Sequence, residues 1–343
     1  MPKHIAVVPC DGAGKEVVPE AVKVLRGVGA DLEFEDFDID ADSYLRTGVA
    51  IPDATWKDLQ AADSILFGAV GDPRVPDPKY LHGVLLRLRF ELDLYVNLRP
   101  AKLYDDRLSP LRREDRRKVD LVVVRENTEG AYVGMGGRFK QGTPDEIATQ
   151  EDINTYAGVT RIVEYAFGLA KREVVMVDKS NAMTYAGGLW QERWKAIAKA
   201  HPNLKTRHLF VDAAAMQLVK DPSQFEVIVT GNLFGDILSD LTAELVGGMG
   251  IAPSANLNPK TGRGLFEPVH GTAPDIAGKG VVNPIGAILS AGMMIRHLGH
   301  REMADAIEGA VESAIRAGDC TRDLGGSLST SQAGDAVVKR LKD

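Results

Sequence analysis

The sequence predicts an α/β fold with a mostly parallel central sheet. Short apolar runs rich in β-branched residues alternate with longer segments of helical period, which is typical of strand–helix–strand units. The runs are nearly continuous, as expected for strands that are covered on both faces. The predicted strands are Ile5–Val8, Ser64–Phe67, Leu121–Val124, Val174–Val177, His208–Val211 and Val227–Thr230, and the predicted helices include Lys15–Val28, Tyr156–Lys171 and Gly188–His201.

Length and composition exclude several classes of protein. The chain has 343 residues, of which 44% are hydrophobic and 26% charged, so it can bury a sizeable core. We expect no membrane span, because no apolar run reaches about 18 residues. The net charge of −7 argues against nucleic acid as the main partner. Cys10 and Cys320 are the two cysteines, too few for a disulfide framework, so we expect a cytoplasmic protein.

Two breaks in composition indicate how the chain is divided. Arg99-Pro100 and the glycine-rich Gly247–Pro253 are the best candidate boundaries. We therefore expect a discontinuous first domain, residues 1–97 and 247–343, with a second domain, residues 98–246, inserted between its parts. The segment 134–154 has no helical period and only weak strand alternation, which favours an arm that packs against another subunit over a surface hairpin.

Asp236 and Asp240 form the first candidate site. They are four residues apart, so on a helix they share one face, and they follow the predicted strand Val227–Thr230. Ligand sites of α/β proteins form at that end of a strand, and carboxylate oxygens suit Mg²⁺ or Mn²⁺. The spacing alone leaves open a helix N-cap at Asp236 with a solvated Asp240.

Basic residues near predicted element ends form a second group. On a helix, Leu85 and Leu86 lie beside Arg89, a combination that suits a ligand with a carboxylate and an aliphatic end. A core face with a snorkelling arginine is the alternative. Arg99 and Arg125 could bind further carboxylates by bidentate pairing, and Lys179 follows a predicted strand, where burial can make a lysine a base.

The turn from Glu267 to Gly280 is rich in glycine and proline and could wrap a nucleotide with backbone groups. Neither G-x-G-x-x-G after a strand nor G-x-x-x-x-G-K-[ST] occurs, which argues against a Rossmann site and a P-loop.

Together these segments resemble the isocitrate/isopropylmalate dehydrogenase family of β-decarboxylating dehydrogenases. The resemblance rests most strongly on Gly231–Asp240 (GNLFGDILSD) and on the string from Phe266 to Pro284, and it extends from Pro9 to about Gly299. It implies the two-domain fold of that family, which is not a Rossmann fold, with residues 134–154 as the intersubunit arm of a homodimer.

The resemblance also implies roles for individual residues. Arg89, Arg99 and Arg125 would hold the substrate carboxylates, with Leu85, Leu86 and Leu88 around its aliphatic end. Lys179 and Tyr132 would be catalytic, and Asp212, Asp236 and Asp240 would bind the metal, with Lys179 and Asp212 donated across the dimer. The nucleotide loop would comprise His270, Gly271, Ala273, Asp275, Ile276 and Asn283.

The implied reaction is oxidation of a 2-hydroxyacid by NAD⁺, assisted by Mg²⁺ or Mn²⁺, followed by loss of CO2. We expect NAD⁺ because Asp275 should accept hydrogen bonds from a ribose diol and repel a 2′-phosphate. The apolar residues favour 3-isopropylmalate, a substrate of leucine biosynthesis. The alternative is D-malate or tartrate, or a broad specificity, because Leu81–Leu86 (LHGVLL) resembles the D-malate and tartrate enzymes and Ala182 stands where the isopropylmalate enzymes usually have valine. Cys10 replaces a usual glycine, which would be tolerated at negative φ.

Overall fold

The computed structural model describes residues 2–342 and contains a ten-stranded mixed sheet and a separate two-stranded sheet. The strands are β1 (Lys3–Cys10), β2 (Leu32–Asp36), β3 (Ser64–Ala69), β4 (Val96–Lys102), β5 (Asp120–Glu126), β6 (Gly136–Phe139), β7 (Ile147–Gln150), β8 (Glu173–Asp178), β9 (Lys205–Phe210), β10 (Val227–Thr230), β11 (Pro253–Asn258) and β12 (Arg263–Pro268). The helices are α1 (Gly14–Gly27), α2 (Ala41–Thr47), α3 (Asp53–Ala61), α4 (Pro78–Leu81), α5 (Arg87–Glu91), α6 (Tyr156–Leu169), α7 (Thr184–Ala200), α8 (Val211–Lys220), α9 (Asn232–Glu244), α10 (Ile285–His297), α11 (Arg301–Ala317) and α12 (Thr330–Arg340).

The large sheet has the order β2-β1-β3-β12-β11-β4-β5-β10-β8-β9. Six of its nine pairings are parallel, and the antiparallel ones are β12–β11, β11–β4 and β4–β5 at the centre. Successive residues of β1 enter two different cores, Ile5 and Val7 on one face and Ala6 and Val8 on the other. The predicted α/β fold with a mostly parallel, doubly covered sheet is therefore confirmed.

Two sequence expectations differ locally from the structure. The predicted strand His208–Val211 ends one residue earlier, because Val211 begins α8. The candidate break Arg99-Pro100 lies inside β4. β11 pairs with β4 only from Val96 to Leu98, so Pro100 faces no partner strand on that side and its missing N–H is tolerated.

The segment between Pro78 and Glu91 is helical throughout but contains a π-helical turn, His82–Leu86, between α4 and α5. Such turns change the register of a helix and occur often at functional sites. Here Leu81, Leu85 and Arg89 share one side, while Val84 and Leu88 are fully buried in the core.

The strands β6 and β7 form an antiparallel hairpin whose eight residues are all exposed in the single chain. Phe139 and Ile147 are paired across it, and each has more than half of its surface open to solvent. An exposed hairpin with apolar side chains is what the arm interpretation requires, and its role between subunits stays a prediction. No helix within residues 2–342 is long and apolar enough to cross a membrane.

Candidate active site

A cavity of about 210 Å³ lies where the carboxyl ends of β3 and β12 meet the helical segment after β3. Strand ends of this kind form the ligand sites of α/β proteins. Its wall brings together seven of the residues that the sequence singled out, but not Asp240: Arg89, Arg99, Arg125, Tyr132, Asp236, His270 and Gly271.

The three arginines are buried and held by fixed partners. Arg89 donates to Glu267 at 2.8 Å, and Arg99 donates to Ser239 at 2.9 Å and Asp240 at 3.2 Å. Arg125 is 1% exposed and donates to Asn232 and Asp236. Burial, reinforced by Arg99 and Arg89, lowers the pKa of Arg125 to about 9, so it stays charged at neutral pH. Three cations in one buried cavity favour an anionic ligand with several carboxylates.

Asp236 and Asp240 lie on α9, as the spacing predicted, and the structure excludes an N-cap role for Asp236 because α9 begins at Asn232. Burial opposes ionisation of Asp236, but Arg125 and Arg99 outweigh it and lower the pKa of Asp236. Burial raises the pKa of Asp240. Both carboxylates keep part of their surface open, but only Asp236 lines the cavity. Carboxylate oxygens with open surface can bind a cation.

Lys179 and Asp212 lie outside this cavity. Lys179 follows β8 and donates to Asp212, near the start of α8, at 2.8 Å. Among residues 2–342, no three histidine, cysteine or acidic side chains come together as a metal site within the chain. The donation of Asp212 and Lys179 by a second copy stays a prediction.

Tyr132 donates its hydroxyl hydrogen bond to Asp236 at 2.7 Å. Burial and the Asp236 carboxylate both raise the pKa of Tyr132, so the phenol keeps its proton.

The turn before Tyr132 is fixed by Glu126, whose carboxylate accepts hydrogen bonds from the backbone N–H groups of Thr128 and Glu129. Burial raises the pKa of Glu126 to about 7. Sequence analysis missed Glu126, although an acidic residue beside an arginine in an apolar strand is a recognisable signal.

The apolar wall of the cavity differs from the sequence expectation. The two leucines that line the cavity are Leu85, as predicted, and Leu81, which was not predicted to do so. Leu86 is 8% exposed and Leu88 is 0% exposed in the core, and neither lines the cavity. The π-helical turn explains this difference, because it has more residues per turn than an α-helix. Leu81, Leu85 and Arg89 therefore follow one another at intervals of four residues along the cavity wall.

A second cavity of about 1100 Å³ adjoins the first and shares His270 with it. The predicted nucleotide residues that line it are His270, Ala273, Ile276 and Asn283, whereas Gly271 lines the smaller cavity and Asp275 is exposed outside both linings. Burial lowers the pKa of His270, so the ring is neutral, and its Nε2 atom is buried without a hydrogen-bond partner. An orphaned buried nitrogen at this position fits a polar ligand such as a nucleotide.

The first turn of α1 holds the predicted nucleotide loop in place. Glu16 accepts from the N–H groups of Gly278 at 2.5 Å and Gly280 at 2.8 Å. Cys10, the last residue of β1, has φ of 59°, so the negative φ at which a cysteine would be tolerated here does not occur. Its buried thiol contacts Asp11 and Tyr80, which gives the strained residue a packed environment.

Comparisons with known proteins agree with this geometry. A family model described as isocitrate/isopropylmalate dehydrogenase matches residues 4–337. The 3-isopropylmalate dehydrogenase of Corynebacterium glutamicum strain ATCC 13032 is 47% identical, with 98% of this chain and 99% of the relative covered. That of Thermobifida fusca is 44% identical, with 99% and 98% covered. A crystal structure of isocitrate dehydrogenase from Methylococcus capsulatus superposes with a TM-score of 0.92 at 36% identity, over 99% of this chain and all of the other. The resemblance read from the sequence is confirmed, and the chain belongs to the isocitrate/isopropylmalate dehydrogenase family.

Proposed function

We propose that this dehydrogenase oxidises 3-isopropylmalate with NAD⁺ and decarboxylates it to 4-methyl-2-oxopentanoate, a step of leucine biosynthesis. The relatives at 44–47% identity carry the name 3-isopropylmalate dehydrogenase and match nearly the whole chain. The name of the structural neighbour, isocitrate dehydrogenase, makes isocitrate the competing substrate.

The apolar wall beside three arginines is the observation that carries the proposal. Isocitrate has a carboxymethyl group, and with it a third carboxylate, where isopropylmalate has an isopropyl group. Leu81 and Leu85 line the cavity with Arg89, and the other two arginines of the lining, Arg99 and Arg125, already donate to Asp240 and Asp236. A buried carboxylate without a partner is strongly disfavoured, whereas an isopropyl group gains about 2 kcal/mol from apolar contact.

The chain's own side chains supply orientation and proton transfer. The arginines hold the substrate carboxylates and oppose their negative charge, which orients the reacting carbon. Lys179 of a second copy takes the proton of the C2 hydroxyl, and Tyr132 donates a proton to the carbon that loses CO2. The protonated state of Tyr132 that burial and Asp236 favour is the state that a proton donor needs.

Asp236 and Asp240, with Asp212 of a second copy, would hold Mg²⁺ or Mn²⁺. When bound, the cation would supply polarisation of the C2 oxygen, and NAD⁺ would supply the acceptor for the hydride. The neutral His270 ring, Ala273, Ile276 and Asn283 would contact the nucleotide, with Gly271 at the junction of the cavities. Asp275 would disfavour the 2′-phosphate of NADP⁺ by charge.

A homodimer with shared active sites follows from the same proposal, because Lys179 and Asp212 are paired away from the cavity. The apolar side chains of Met216 and Val219 on α8 and Ile237 on α9 are exposed in the single chain and would be covered. The hairpin of β6 and β7 would then be the arm, within the proposed second domain of residues 98–246.

D-malate or tartrate is the second candidate substrate. Leu81 is 41% exposed at the cavity, and the tartrate and D-malate enzymes share the Leu-x-Gly-x-Leu-Leu pattern that begins with it. These substrates are smaller and would leave the leucine wall unfilled, at a cost of about 1–3 kcal/mol relative to isopropylmalate.

Initial rates of NAD⁺ reduction with Mg²⁺ or Mn²⁺ test the proposal. 3-Isopropylmalate, D-malate, tartrate, isocitrate and homoisocitrate are compared side by side. A kcat/KM for isopropylmalate at least about 100-fold above that for D-malate supports the leucine-pathway assignment. Equal kcat/KM values for the two substrates, or a higher value for D-malate, would favour D-malate or tartrate as the substrate. A kcat/KM with NADP⁺ equal to that with NAD⁺ would overturn the cofactor assignment.

A further inference from the structure

A continuous chain of buried polar side chains joins two of the substrate-facing arginines behind the cavity wall. Arg99 donates from Nε to Asn97 Oδ1 at 2.9 Å, and Asn97 donates from Nδ2 to Asn256 Oδ1 at 2.9 Å. Asn256 donates in turn to Glu267 Oε1 at 2.9 Å, the same oxygen that accepts from Arg89 at 2.8 Å. Arg99 and Arg89 are thus linked through three buried residues.

These asparagines occupy positions where an apolar residue would be the stabilising choice. Asn97 of β4 and Asn256 of β11 are both 0% exposed and stand directly opposite each other in the centre of the sheet. Asparagine is disfavoured in strands, and a buried amide costs free energy unless its hydrogen bonds are made. Such a pair in the middle of the core therefore indicates a role beyond stability.

The hydrogen bonds also fix the orientation of the Asn97 amide. Its Nδ2 donates to both Asn256 and Ser254, at 2.9 Å each, so its oxygen must face Arg99. The same oxygen of Asn256 accepts a second hydrogen bond from Asn127 at 3.0 Å, and this bond fixes the Asn256 amide from the end of β5. With Oδ1 of Asn97 aimed at Nε, the Arg99 guanidinium has one preferred plane.

We propose that Asn97 is a positioning residue for substrate binding, which sets the plane of the Arg99 guanidinium and couples it through Asn256 and Glu267 to Arg89. The proposal rests on the proposed function, in which these arginines bind the substrate carboxylates. Asn97 itself does not line the cavity and touches no substrate. It acts because a bidentate arginine–carboxylate pair depends on the orientation of the planar guanidinium.

Three variants separate positioning from stability. Asn97→Ala removes the acceptor for Arg99 and should raise the KM for isopropylmalate by about tenfold or more, with kcat changed less than KM. Asn97→Asp keeps an oxygen facing Arg99 and should restore KM to near the wild-type value even though the Asn256 side is disturbed. Ser254→Ala removes a hydrogen bond of the same amide away from Arg99 and serves as the matched control, with KM unchanged. Asn97→Ser, whose hydroxyl is too short to reach Arg99, replaces the alanine variant if that variant does not fold.

A second measurement does not depend on turnover. Hydrogen exchange of the Arg99 Nε–H, followed by NMR with ¹⁵N-arginine and assigned by Arg99→Lys, should be slow in wild type, Asn97→Asp and Ser254→Ala and fast in Asn97→Ala. Equal KM and equal exchange in Asn97→Ala and wild type would overturn the proposal, as would an equal rise of KM in all three variants. If wild type turns over isocitrate or D-malate instead, the proposed function fails, while the exchange rates still decide the role of Asn97.

Discussion

A Cβ atom on Gly235 would lie 2.5 Å from Cγ of Arg125, far inside van der Waals contact. Helix α9, which carries Asp236 and Asp240, therefore approaches strand β5 as closely as a glycine allows. This contact holds the carboxylates against the arginine, so the distance between the proposed metal-binding pair and the arginine proposed to bind a carboxylate depends on the absence of one methyl group.

We expect Gly235→Ala to lower kcat/KM by about 100-fold, because the methyl group must displace Arg125 or α9, and displacements near 1 Å cost about that much. Gly309→Ala is the matched control, since a Cβ there, in the middle of α11, meets no atom within 4 Å. The control should be stabilised by about 1 kcal/mol through helix propensity and keep full activity. Steady-state kinetics and urea unfolding of both variants check this, and full activity in Gly235→Ala would refute the close-packing argument.

We expect Leu85→Ala to lower kcat/KM for isopropylmalate by about 10- to 100-fold, because the apolar contact of one leucine side chain is worth about 1.5–3 kcal/mol. D-malate lacks the isopropyl group, so its kcat/KM should change much less in the same variant. The ratio of the two specificity constants is the measurement. A parallel loss for both substrates would mean that Leu85 supports the fold of the cavity rather than the branched chain.

We expect Glu16→Gln to raise the KM for NAD⁺ by about tenfold and to leave the KM for isopropylmalate unchanged. The carboxylate accepts from Gly278 and Gly280 with different oxygens, and an amide can replace only one of them. Glu33→Gln, on an exposed strand position with no contact to the nucleotide loop, controls for the lost charge. Titration of NADH binding by fluorescence would separate affinity from turnover, and unchanged binding would contradict this account.

Glu126 should make the unfolding free energy depend on pH. Its pKa is raised by burial to about 7 from an ordinary value of 4.5, so the folded state binds the proton more tightly than the unfolded state. The contribution to stability is therefore fully present below pH 4.5 and is lost as the pH rises to about 7. We expect Glu126→Gln to flatten this slope by up to about 3 kcal/mol between the two pH values, measured by urea unfolding. A slope identical to wild type would show that Glu126 is ionised in the folded state.

The periodic features of this chain were predictable, and the register-dependent ones were not. The strand Val227–Thr230 and the helix that places Asp236 and Asp240 on one face follow from patterning, and both occur as predicted. The lining role given to Leu86 and Leu88 assumed an α-helical register, and the π-helical turn changed it. Cys10 sits at positive φ because its buried surroundings outweigh the strain, which no local rule reveals.

Glu16 and Asn97 form contacts with residues far away in the sequence, which composition and local patterns do not show. Glu16 accepts hydrogen bonds from a loop more than 260 positions away in the sequence. Asn97 donates to Asn256 on the neighbouring strand. Their partners are defined by the sheet order, so only the folded chain identifies them.

The sheet order also determines when the enzyme can fold during synthesis. β3 pairs with β12, so β1, β2 and β3 have no neighbour on that side until residues 263–268 have been made. Strands β5, β8, β9 and β10 lie within residues 120–230 and can assemble earlier. A ribosome-bound chain that stops before β12 would therefore leave the β3 edge of its first three strands unpaired, and unpaired strand edges are prone to aggregation.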